Sequence, residues 1–156
     1  MRIHLLRHAD AEDFATSDAA RVLTAKGREQ AARVGEFLVR TRQPIDLILT
    51  SHYLRAAETA RIVSEKLDQE SPVEDRRLGC GLSPQTGLSI IQEYSSFNDV
   101  LLVGHQPDLG MLAAFLLTRD RSFELEFHKA SLMSITMLQP AAGAGVLESY
   151  VNVSQM

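Results

Sequence analysis

Residues 3–12 read Ile-His-Leu-Leu-Arg-His-Ala-Asp-Ala-Glu. The apolar run from Ile3 to Leu6 has the length and character of a short buried strand. It stops at a cation and a titratable ring, Arg7 and His8. Taking such groups out of water costs free energy unless a partner compensates them. The pair therefore marks a strand end that opens onto something the protein uses.

Two later apolar runs end in the same way. Asp46-Leu-Ile-Leu-Thr50 is followed by Ser51 and, one turn on, Arg55. Asp99-Val-Leu-Leu-Val-Gly104 is followed by His105. Between the runs lie helical patterns. Thr24 is a candidate N-cap for a helix over 25–41 with Ala31, Val34 and Leu38 on one face, and Pro44 marks its end. Ser51 is a plausible cap for a helix over 54–67 with Ala56, Ala60, Val63 and Leu67 in line. Residues 80–87 read as a turn-rich loop, 87–94 as a short helix, and 109–117 as a helix with Pro107 near its first turn. Two strand candidates, 130–138 and 145–153, close the chain around a Pro-Ala-Ala-Gly-Ala-Gly turn and suit an antiparallel hairpin at a sheet edge. Strands alternating with helices predict an α/β fold with a mainly parallel sheet. Uninterrupted apolar strands predict that helices cover both faces.

Composition bounds the rest. The chain has 156 residues, 45% hydrophobic and 23% charged, which suits one domain spanning 1–156 with a full core. Net charge is -4 without acidic or basic blocks, which argues against a general nucleic-acid binder. Cys80 is the one cysteine, so neither an internal disulfide nor a cysteine zinc site is available. No run reaches the ~18 apolar residues of a membrane span, and the short N-terminal run does not suit a signal peptide. A cytoplasmic protein without membrane association is the expectation.

In open α/β sheets, ligands bind at the carboxyl ends of the strands. Parallel pairing would bring Arg7, His8, Arg55 and His105 to one edge. Arginine's planar fork matches phosphate oxygens and stays charged, and a neutral imidazole can donate or attack. Helix N-termini after Ser51 and His105 would add backbone N–H groups that favour an anion. The cluster suits a phosphoryl group. It offers no carboxylate set for a metal, and no cofactor is expected. Phosphoryl transfer would then rest on charge neutralisation and on an in-line histidine nitrogen, with water releasing the phosphoryl group. His8 is the better nucleophile candidate. Its attacking nitrogen must be free, so a partner such as a backbone carbonyl should hold the proton on the other nitrogen.

These residues resemble a known family. The stretches 5–12 (LLRHADAE), 51–60 (SHYLRAAETA) and 101–110 (LLVGHQPDLG) are similar to the motifs of the histidine phosphatase superfamily, also called phosphoglycerate mutase-like. The stretch 17–27 (SDAARVLTAKG) resembles its short SixA-type phosphohistidine phosphatases. The likeness runs from Arg2 to about Leu117, and the last strands match in pattern only. It implies a three-layer α/β/α sandwich, a phosphorylated His8, and Arg7, Arg55 and His105 around the phosphoryl oxygens. Arg21 would be a further contact on the substrate side. The implied activity is metal-independent hydrolysis of a protein phosphohistidine. The alternatives are a small phosphomonoester as substrate, or phosphate binding without catalysis.

One departure stands out. Many superfamily members carry a carboxylate general acid in the segment after the second helix. Here 76–85 reads RRLGCGLSPQ, and no Asp or Glu follows Arg77 until Glu93. An alkoxide leaving group needs an acid, whereas imidazole leaves readily once protonated, so the gap favours a phosphoramidate. Asp10, Glu12 and Asp18 are candidate substitutes. Among the rest, His4 reads as structural, His52 as a surface group and Cys80 as a packed or loop thiol. Met111, Met133 and Met137 read as core, and His128 and Lys129 have no assignment.

Overall fold

The computed structural model describes residues 1–118 and 125–156. Its sheet has the strand order β3-β2-β4-β1-β5-β6, built from β1 (Arg2–Arg7), β2 (Leu47–Thr50), β3 (Val73–Glu74), β4 (Asp99–Gly104), β5 (Leu132–Thr136) and β6 (Val146–Val151). The first four run parallel; β5 is antiparallel to both β1 and β6. The expected antiparallel pair is thus present at one edge, with β5 also pairing the central β1. At the other edge, β3 is only two exposed residues long and has no apolar pattern of its own. It forms because β2 offers it hydrogen-bonding groups.

Successive side chains of a strand point to opposite faces, and both faces are covered. Val100 and Leu102 of β4 join one core cluster, Leu101 and Val103 the other. The first cluster takes Ile90, Ile91, Leu112 and Leu116 from α3 (Pro84–Glu93) and α4 (Asp108–Thr118). The second takes Ala31, Val34 and Leu38 from α1 (Ala25–Arg40), and Ala56, Ala60 and Val63 from α2 (Leu54–Lys66). The result is the α/β/α sandwich.

Local chemistry sets the helix ends. Thr24 caps α1 by accepting from the Gly27 N–H at 3.0 Å. The helix ends at Arg40, ahead of Pro44, with Arg42 at φ 53°. The third helix begins at Pro84 instead of residue 87: Ser83 accepts from the Thr86 N–H and Pro84 occupies the first turn, where its missing N–H costs nothing. The α2 cap is Tyr53, not Ser51, and it caps without a side-chain hydrogen bond. Met133 and Met137 are buried as expected, but Met111 is exposed, on the outer side of α4. Among the described residues no helix is long and apolar enough to cross a membrane.

Candidate active site

Strand register brings the two histidines together. Arg7 pairs with Gly104, and the His8 N–H donates to the Gly104 carbonyl at 3.0 Å, so His8 and His105 leave adjacent strands side by side. Their rings lie 5.3 Å apart. On the other side of β4, the Ser51 N–H donates to the Val103 carbonyl, which sets Ser51 beside His105. One turn into α2, Arg55 reaches back and its Nε donates to His8 Nε2 at 3.2 Å. His8, Arg55 and His105 are all buried.

The His8 ring is held in one tautomer. Its Nδ1 lies 2.7 Å from the Ala9 carbonyl, which can only accept, so Nδ1 carries the proton and Nε2 presents its lone pair. The backbone of Ala9 is itself tethered: its N–H donates to Thr59 Oγ1 at 3.1 Å, and that hydroxyl donates to the Arg55 carbonyl at 2.7 Å. Burial, with Arg55, Arg7 and Lys129 nearby, lowers the His8 pKa to about 4. His105 falls to about 3, chiefly through burial and then through His8 and Arg55. Both rings are neutral at pH 7.

His105 Nε2 is 2.9 Å from Ser51 Oγ, which also accepts from the Tyr53 N–H at 3.2 Å. Its Nδ1 is buried and has no partner among the described residues. The Tyr53 ring packs 5.0 Å from His105, and the Arg55 guanidinium lies over it at 4.9 Å. Tyr53 and Thr59 join the site without having been expected there, and Ser51 serves it as a partner of His105, not as a cap. Their shared place in the 51–60 motif was the available signal.

Arg7 is half-buried; its Nη1 donates to the Phe127 carbonyl at 2.6 Å and its Nε has no partner among the described residues. Arg21 reaches the cluster indirectly. It donates to the Glu12 carbonyl and to Asp18 Oδ1, and Asp18 Oδ2 accepts from Arg55 Nη2 at 3.0 Å. Arg55 Nη1 also donates to the Asp18 carbonyl. Among the candidate acids, Asp18 is therefore the one in contact with the cluster, and Arg21 and Arg55 hold its pKa below the usual carboxylate range. Asp10 is similarly depressed by Lys129 and Thr24, while Glu12 offers Arg21 its backbone carbonyl. The 76–82 segment does reach the cluster, but it presents Cys80 Sγ, 3.5 Å from Arg55 Nη2. Asp108 fixes that loop by accepting from the Gly81 N–H. His52 packs edge-on against Tyr53 and abuts Gly79, so it is a packing group more than a surface one. His4, buried on the opposite half of β1, bonds Ser134 as a structural residue would. Among the described residues, no group of three or more His, Cys, Asp or Glu is placed to hold a metal ion.

Known proteins share this arrangement of elements. Residues 3–79 match the model of the histidine phosphatase superfamily (branch 1). A phosphohistidine phosphatase SixA homolog from Haemophilus influenzae is 33% identical over 147 residues, covering 86% of this chain and 87% of that protein. Phosphohistidine phosphatase SixA of Escherichia coli is 29% identical over 122 residues, 74% of each chain. A solved structure of protein histidine phosphatase SixA complexed with tungstate aligns at a TM-score of 0.89 and 25% identity, over 99% of this chain and 98% of that one. Fold and likeness together define a phosphatase. The chain belongs to the histidine phosphatase superfamily.

Proposed function

We propose that this phosphatase hydrolyses phosphohistidine in a protein, through a covalent intermediate on His8. The supporting observation is the state of the His8 ring, neutral, with its proton fixed on Nδ1 by the Ala9 carbonyl and Nε2 unprotonated, its lone pair turned toward the Arg55 guanidinium. Nε2 attacks phosphorus, the substrate's P–N bond breaks, and the departing imidazole takes a proton from water. Water then attacks the phosphoryl group, the P–Nε2 bond breaks, and inorganic phosphate leaves. Arg7 and Arg55 neutralise the phosphoryl oxygens and the neutral His105 ring donates its Nδ1–H to them, with positioning and charge supplying most of the rate. That donor role needs the proton on Nδ1, hence Ser51 donating to Nε2. Arg21 acts on the substrate side, through Asp18.

The depressed carboxylates favour a phosphoramidate over an alkyl monoester. Asp18 and Asp10 are ionised at neutral pH and are poor proton donors to an alkoxide. The solved relative holding tungstate, a tetrahedral oxyanion, agrees with a phosphoryl site.

A panel of phosphohistidine peptides against sugar, nucleotide and terpenyl phosphates tests the reading. Faster turnover of phosphohistidine, at full rate in chelator, supports it; a preference for monoesters overturns the substrate assignment. His8→Ala is expected to lose more than a hundredfold in rate, a difference of ~2.7 kcal/mol.

A further inference from the structure

Beside the cluster lies a cavity of about 580 Å³ lined by Arg7, Asp10, Lys26, His128 and Lys129, with Asn152–Ser154 on its far side. We propose that it is a docking groove for acidic side chains of the phosphorylated substrate protein. This deepens the phosphohistidine reading and rests on it for the identity of the partner.

Three cations and one carboxylate line the groove, in a chain whose net charge is -4. The carboxylate, Asp10, is already paired with Lys129. Lys26 has no hydrogen-bond or ion-pair partner among the described residues and is exposed on the first turn of α1. The positive charge is therefore local and available. It is also in position: Arg7 borders both the groove and His8, and the charge of Lys129 is felt at the His8 ring. A partner seated there keeps its phosphoryl group over His8.

The lining favours a protein over a compact metabolite. Lys26 and His128 are exposed and Lys129 is half-buried, so the lining is open and adaptable, with Lys26 as its free cation among the described residues, and forms no rigid cage. The walls come from three separate places, the end of β1, the first turns of α1 and the segments flanking β5 and β6. A wide basic surface of this kind steers and orients an acidic surface, with an effect screened by salt.

The test compares three substrates at low and high salt: a phosphohistidine peptide with Asp and Glu flanks, one with neutral flanks, and free phosphohistidine. The wild-type protein should favour the acidic peptide by about tenfold in kcat/KM at low salt, an advantage that shrinks as salt rises. Lys26→Glu should reduce that advantage to under about twofold while leaving free phosphohistidine nearly unchanged. The substitution suits its position, since an acidic residue is favoured in the first turn of a helix. Equal use of both peptides by the wild type, or an equal loss on all three substrates in the variant, overturns the groove. A second readout does not depend on the substrate assignment. A Glu-rich peptide without phosphate should inhibit turnover of whichever phosphorylated compound the protein accepts, and Lys26→Glu should relieve the inhibition. Failure to cleave any phosphohistidine, with that inhibition intact, sinks the substrate reading and leaves the groove standing; no inhibition sinks the groove.

Discussion

The chemistry of His8 depends on the backbone carbonyl of the next residue, Ala9, whose N–H is held in turn by Thr59. The Thr59 hydroxyl joins the Ala9 N–H to the Arg55 carbonyl, so one buried side chain ties the nucleophile loop to the arginine helix. Thr59→Val keeps the shape but strands the Ala9 N–H. It should cost about 1–3 kcal/mol of stability and lower kcat, and Thr59→Ser should restore both; thermal melts with single-turnover rates decide it. The depressed His8 pKa gives a second expectation. With the substrate's own ionisation accounted for, kcat/KM should stay level from pH 7 to 5 and fall towards about 4. An acid limb centred near 6.5 would mean the ring is not buried as described. His8, Arg55 and His105 were legible in the sequence because each follows an apolar strand. The roles of Ser51, Tyr53 and Thr59 were not, since their partners are set by the register of β4 against β2 and β1 and by the angle at which α2 leaves β2.

Helix α1 must lie unusually close to two neighbours. A Cβ on Gly27 would meet the Asp10 carbonyl oxygen at 1.9 Å, and one on Gly35 would meet Lys66 Cβ at 2.5 Å. Gly27→Ala therefore pushes α1 off the loop that carries Asp10, and Gly35→Ala pushes α1 from α2. Both should destabilise by about 1–3 kcal/mol despite alanine's better helix propensity, and Gly27→Ala should also slow turnover because it displaces the nucleophile loop. Equilibrium unfolding beside kcat/KM separates the two. The strands β1, β2 and β4 and the helices α1 and α2 were readable because their apolar patterns are long and regular. The true start of α3 was hidden because Ser83-Pro84 reads equally as a turn. Strand β3 was hidden because pairing, not pattern, creates it.

For the whole molecule, the site exacts a cost in acid. His8 and His105 have folded pKa values below the ~6.5 of an unfolded histidine, at about 4 and about 3. Between those values and pH 6.5, the unfolded chain binds protons that the folded one refuses, so stability falls as pH drops. Buried His4 shifts the same way. The melting temperature should therefore decline from pH 7 to 5, before the paired carboxylates titrate, and His8→Asn should flatten part of that slope. A pH-independent melting temperature over that range contradicts the buried neutral rings. The α/β/α layering was legible at this scale, since strands apolar on both faces demand two helical layers. The basic groove was not, because Arg7, Lys26 and Lys129 meet only once the sheet edge is assembled, and Lys129 had no motif to place it. The proposed catalysis turns on phosphorus bonding to a histidine nitrogen at that edge. Rapid quench of a labelled substrate, followed by peptide mapping, should find an acid-labile, base-stable phosphoryl group on His8; label absent from His8 during steady turnover would contradict it.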